Sequence, residues 1–130
     1  MKIIPKAQSV VVKKSGGTNV WYYLFDEYEL HYNELEPNGI QDWHNHERIE
    51  EVIYVVEGEL LAEWIEDGKR RSATVTSGDL LRIENSIHTL KNPYRNTTTF
   101  LVFKMIPSGN NYRDIFQQDK RKFHPSNLPG

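Results

Sequence analysis

The chain has no cysteine. Disulfides, thiolate metal ligands and cysteine nucleophiles are therefore excluded, and the redox compartment stays open. A long apolar run is also missing, and the opening stretch MKIIPKAQSVVVKKSGG holds no apolar signal-peptide core. The expectation is a soluble, unsecreted, cytoplasmic protein with no membrane contact. Neither sign of charge dominates: 16 basic and 18 acidic residues leave a net charge of −2. No footprint for nucleic acid stands out, and Lys120-Arg121-Lys122 reads as a solvated tail. Repeats and low-complexity segments are absent. One domain over residues 1–130 is expected, with room for one modest core.

What the chain does contain is short β-rich segments broken by turn residues. Ile3 to Val12 reads as one or two edge strands interrupted by Pro5. Asn19 to Phe25, Tyr28 to Leu35, Glu59 to Glu66, Lys69 to Thr76, Leu80 to Ile83, His88 to Lys91 and Thr97 to Met105 read as strands. Asp67-Gly68 is a strong hairpin signal. Within Tyr28 to Leu35, Tyr28, Leu30 and Tyr32 share one face and Glu29, His31 and Asn33 the other. His31 reads there as a partly exposed strand residue, since nothing adjacent supports a ligand. From Tyr112 to Lys122 the period changes, and Tyr112, Ile115 and Phe116 suit one face of a short helix. His124, beside Pro125, belongs to a loose tail. Short strands at this spacing predict a sandwich or barrel.

The stretch from Gly39 to Gly58, GIQDWHNHERIEEVIYVVEG, organises the rest. In an extended strand His44 and His46 project to one side, with Trp43 and Asn45 opposite. A short turn through Glu47-Arg48-Ile49 returns the chain, so that Glu51 on the next strand can meet the two imidazoles. Such a donor set suits divalent iron, manganese, nickel, cobalt or zinc. The plainer alternative is a solvated strand face with one surface acid among many.

Downstream, Gly78 to Asn92 reads GDLLRIENSIHTLKN: a turn, an apolar strand, a loop, then His88 on a new strand. Here the chain resembles the cupin superfamily, whose two motifs are G(x)5HxH(x)3,4E(x)6G and G(x)5PxG(x)2H(x)3N. His44, His46, Glu51 and Gly58 match the first in type and spacing, and Gly78, His88 and Asn92 match the second in type. Glu50 also fits the looser gap after His46, but counting back from Gly58 selects Glu51, and alternation turns Glu50 away. The departures are a short gap from Gly39 to His44, Ile83 at the proline place, Asn85 at the glycine place, and a first gap one residue short in the second motif. Asparagine tolerates left-handed backbone, so Asn38 and Asn85 are placed to do the glycines' steric work.

The resemblance implies an all-β, jelly-roll barrel over about residues 20–105, followed by a short C-terminal helix and tail over 110–130. It implies one divalent metal ion (iron, manganese, nickel or zinc) on His44, His46, Glu51 and His88. It implies a small-molecule substrate or ligand and a homodimer, with the aromatic N-terminal strands as contact. Cupins carry out dioxygenation, decarboxylation, isomerisation and lyase chemistry. The leading expectation is a metal-dependent mononuclear oxygenase, a dioxygenase. A non-catalytic binding or sensing cupin and a sugar or keto-acid isomerase are the alternatives. No acid–base pair announces itself, so the catalytic residues are unknown. Tyr22, Tyr23, Tyr32 and Tyr54 are candidates to line an apolar cavity, with amphipathic wall as their plainer role.

Overall fold

The computed structural model describes residues 1–130. A short 3-10 turn over Lys6–Gln8 precedes nine strands: β1 (Val10–Lys13), β2 (Thr18–Leu24), β3 (Tyr28–Leu35), β4 (Glu50–Glu57), β5 (Glu59–Glu66), β6 (Lys69–Thr76), β7 (Leu80–Arg82), β8 (His88–Lys91) and β9 (Thr98–Met105). Helix α1 covers Arg113–Gln118 and none of its residues is buried. The strands form two antiparallel sheets, one in the order β1-β2-β3-β9-β4-β7 and the other β6-β5-β8. This is the expected jelly-roll architecture. The first segment differs from expectation. Pro5 cannot donate to a ladder, and the chain makes a 3-10 turn before pairing begins at Val10.

Turn chemistry explains the connections. Asp67 and Gly68 both take positive φ, 50° and 69°, the pattern of the tight hairpin turn whose twist matches paired strands. Asn38 and Asn85 sit at φ 65° and 60°, as expected of residues standing in for glycine. Gly39 is needed for a different reason: a Cβ there would meet Leu35 Cδ1 at 2.5 Å and the Glu36 carbonyl oxygen at 2.8 Å.

The interior is graded along each strand. Leu35, Ile53, Val55, Leu60, Ala62, Val75, Ile83, Leu90, Phe100 and Val102 pack into one apolar core. Moving along the inward face, Leu35 gives way to Asn33 and His31 on β3, Ile53 to Glu51 on β4, Leu90 to His88 on β8, and Val102 to Lys104 on β9. Register aligns these polar ends: Glu51 opposes Lys104, Lys104 opposes Glu29, and His31 opposes Val102. One end of the barrel is hydrophobic core; the other is a polar site.

β3 corrects the reading of His31. Its polar face, with His31 and Asn33, points inward, and His31 is buried. Tyr28, Leu30 and Tyr32 face outward, where they continue into Leu101, Phe103 and Met105 of β9, Trp21 and Tyr23 of β2, and Tyr54 of β4. The outer face of the larger sheet is thus broadly apolar. Lys6 lies over it, its ammonium 4.2 Å from the Trp21 ring centroid and 4.5 Å from that of Tyr32.

Candidate metal centre

The segment carrying His44 and His46 is not a regular strand. It is an irregular extended stretch that runs along β8, with isolated bridges at Ile40–Lys91 and His44–His88. Backbone bonds hold it there: Gln41 N–H donates to the Leu90 carbonyl at 2.9 Å, and Asn38 N–H to that of Asn92 at 2.7 Å. Thr89 Oγ1 donates to the Gln41 carbonyl at 2.5 Å. Buried Asn92 fastens the base of the segment, its Nδ2 donating to the carbonyls of Leu35 and Asn96 at 2.9 and 2.8 Å. Outside, the Arg70 guanidinium lies over the Trp43 ring at 5.0 Å. Arg70 also bonds Glu63, which takes Lys91 at 2.6 Å; these two cations hold the Glu63 carboxyl below its usual range. Alternation survives without a ladder: His44 and His46 turn in, Trp43 and Asn45 turn out.

The structure brings His44, His46 and Glu51 together, with one ligand atom from each lying within 4.8 Å of the others. His88 stands beside them outside that tight group, its ring centroid 4.4 Å from that of His44 and 6.3 Å from that of His46. Glu50 points away and pairs with Arg82 at 2.7 Å.

Two of the rings have assigned tautomers. His44 Nδ1 lies 2.7 Å from the Asp42 carbonyl and His88 Nδ1 2.8 Å from that of Ser86. A carbonyl only accepts, so each Nδ1 carries a proton and each Nε2 presents a lone pair. His46 Nε2 and Glu51 Oε2 approach to 2.7 Å, an ion-pair contact, and neither atom has a partner beyond the other. Burial lowers the pKa of His46, against the opposing pull of Glu51, and Lys104 and His44 lower it further. Burial also lowers that of His88, against the opposing bond to the Ser86 carbonyl, with His44 adding to the depression. Both rings therefore favour the neutral, ligating form.

His88 Nε2 is buried with no partner, which costs about 1–3 kcal/mol if nothing satisfies it. His46 Nε2 and Glu51 Oε2 are buried with only each other for company. These side chains are all metal-ligating types, and their chemistry fits a divalent ion.

Two cavities meet this cluster. A polar one of about 430 Å³ is lined by His44, His46 and Glu51, with His31, Asn33 and Lys104 across from them. A more apolar one of about 450 Å³ is lined by His88 with Trp64, Leu81, Ile83 and Leu90. None of Tyr22, Tyr23, Tyr32 or Tyr54 lines either cavity. Tyr22 instead packs edge-on against His31 at 4.4 Å. These tyrosines keep the plainer role of amphipathic wall, and the polar cavity is lined by β3 residues His31 and Asn33, because the inward face of β3 is the polar face. His31, Asn33 and Lys104 were not singled out by the sequence. The signal available was the strict alternation that put Glu29, His31 and Asn33 on one face.

The profile of the cupin domain family matches residues 31–104. No curated protein matches the chain. Among solved structures, the chain is similar to a Thermotoga maritima protein described as a predicted oxalate decarboxylase. The TM-score is 0.70 at 16% identity, over 82% of this chain and 100% of that one. It is similar to the cupin domain of an XRE family transcriptional regulator from Enterobacter cloacae, with TM-score 0.58 and 21% identity over 70% of this chain and 98% of that one. It is also similar to Peruvianin-I, described as a cysteine peptidase from Thevetia peruviana latex, with TM-score 0.67 and 19% identity over 80% of this chain and 71% of that one. A cysteine peptidase beside a chain with no cysteine shows that this likeness speaks for the fold alone. The family profile spans more than half of the sequence and takes in every residue of both motifs from His44 to Asn92, so this chain belongs to the cupin family.

Proposed function

We propose that this cupin is a metal-dependent enzyme acting on a small organic molecule, with one divalent ion on His44, His46, Glu51 and His88. The observation that carries this reading is the group of buried ligand-type atoms at His46, Glu51 and His88 that find no partner outside the group. An ion bound there supplies Lewis acidity and positions open to substrate. The chain's own residues do the rest. Glu51 contributes the negative charge, and the Asp42 and Ser86 carbonyls hold His44 and His88 in ligating tautomers. The apolar core beneath closes that end of the barrel.

The leading subclass is a mononuclear non-haem oxygenase. Its test is oxygen consumption by the iron(II)-loaded protein against a panel of small hydroxy acids, keto acids and diols. Uptake that disappears in His44→Ala is expected; no uptake with any of them removes the oxygenase subclass. The cavity's polarity, with Ile40 and Val102 its only hydrophobic lining, favours a second reading, isomerisation of a sugar or keto acid. Product analysis of the same mixtures without oxygen separates the two. Non-catalytic sensing draws support from the Enterobacter cloacae regulator domain, and binding without turnover in both assays would favour it.

A homodimer through the outer face of the larger sheet belongs to the same proposal. The 38 residues of its six strands present a footprint of about 620 Å², at about 4.8 Å per strand and 3.4 Å per residue. That is close to the roughly 800 Å² per partner of a standard interface.

A further inference from the structure

We propose that the polar cavity binds a small organic acid, with its carboxylate on the Lys104 ammonium and a second oxygen turned toward His44, His46 and Glu51. The proposal rests on the metal reading above and names the substrate class for that site.

Lys104 projects from the inward end of β9, in register with Glu29 on one side and Glu51 on the other. Two carboxylates are therefore available, and it pairs with neither. Glu29 gives its Oε1 to His31 Nε2 at 3.0 Å, and Glu51 turns to His46. None of the ion pairs in the molecule includes Lys104. A half-buried ammonium on the wall of a cavity, passed over by both neighbouring acids, is set to receive an anion from inside the cavity.

Charge balance points the same way. Among the lining residues Lys14 and Lys104 are the cations and Asp42 and Glu51 the anions. Glu29, in register with Lys104, adds a third anion. With the histidines neutral, a divalent ion then leaves one positive charge in a recess partly shielded from water, where uncompensated charge is costly. An entering carboxylate offsets it. Ammonium–carboxylate contacts of this kind are charge-assisted and correspondingly strong. A volume of about 430 Å³ lies at the small end of ligand sites. The class is thus short 2-oxo, 2-hydroxy or dicarboxylic acids.

The test is calorimetric titration of the zinc-loaded protein with malonate, lactate and pyruvate, and with malonamide as the neutral analogue of malonate. At least one of the acids should bind, and malonamide should bind at least about tenfold more weakly than malonate. Lys104→Met should weaken acid binding by about tenfold or more, while Lys104→Arg stays within a few-fold of the parent. Metal content and melting temperature are measured on the same samples. Unchanged acid affinity in a folded, zinc-loaded Lys104→Met protein overturns the proposal. So does equal affinity for malonate and malonamide, or no heat with any of the acids up to about 10 mM. If Lys104→Met only lowers the melting temperature, Lys104 is a counter-charge to Glu29 and Glu51 and the proposal fails. A parent that takes up no zinc overturns the metal reading instead, and is recognised by metal analysis before any acid is added.

Discussion

His44 and His88 hold each other through the backbone: His44 N–H donates to the His88 carbonyl at 3.1 Å and His88 N–H to that of His44 at 2.9 Å. The two histidines come from opposite halves of the chain, and this reciprocal pair sets one ring beside the other at 4.4 Å. Placement of these two proposed ligands is thus built into the main chain, and the side chains need only their carbonyl-fixed tautomers to present Nε2.

This arrangement predicts a reversal of sign. His88 Nε2 is buried and unpartnered, so in metal-free protein His88→Leu removes an unsatisfied group and should hold or raise the melting temperature. The expected scale is about 1 kcal/mol, or a few degrees. With metal present the parent should gain stability by linkage and the variant should gain far less. Melting curves with and without metal check this. A variant that is equally destabilised in both conditions contradicts it.

Acid should destabilise the metal-free protein. The folded-state pKa values of His31, His46 and His88 lie below the usual histidine value of 6.5, mainly through burial. Between the folded and unfolded values the unfolded chain binds more protons, so stability rises with pH across that window. The contribution is present above pH 6.5 and is lost as pH falls below it. Denaturant midpoints measured from about pH 7.5 to 5 should fall steadily. A flat profile would show that these rings are not buried neutral.

His31 should matter structurally and His124 should not. His31 is 5% exposed, bonded to Glu29 and packed on Tyr22. His31→Ala should cost about 1–3 kcal/mol while leaving metal content unchanged. His124 lies on the exposed tail with Ser126 as its partner, so His124→Ala should change the melting temperature within error. Parallel melts and metal analysis decide both.

The outer sheet face should mediate association. Phe103→Glu places a charge among Tyr28, Leu30 and Val52 neighbours. Light scattering should report a dimeric parent and a monomeric variant. A monomeric parent at working concentration contradicts the pairing.

Much of the fold was legible in the residues, and the limits have physical causes. Tyr28–Leu35 and Glu59–Glu66 have the bounds that turn residues and β-propensity gave them. Asn38 and Asn85 take the left-handed backbone expected of them. Alternation says which residues share a face but not which face is buried. On β3 apolarity pointed the wrong way, because a polar cavity requires polar residues inside and the aromatic face is left outside. The stretch around His44 and His46 keeps strand-like alternation without strand pairing, since its hydrogen bonds go to β8 in an irregular register. Glu51 and Glu50 are adjacent acids, and only spacing to Gly58 separated them; the inward turn of Glu51 and the Glu50–Arg82 pair agree with that choice of face. Lys104 carried no local signal, because its meaning depends on β3 and β4 lying on either side of β9.

Whether His44, His46, Glu51 and His88 hold one divalent ion is decided by metal stoichiometry, measured by mass spectrometry after loading and desalting, for the parent and for His44→Ala, Glu51→Gln and His88→Ala. The parent should hold about one ion per chain, and all three variants should show marked loss with circular dichroism unchanged. A folded set of variants that retains metal as the parent does, or a parent that holds none under any loading condition, would contradict this assignment.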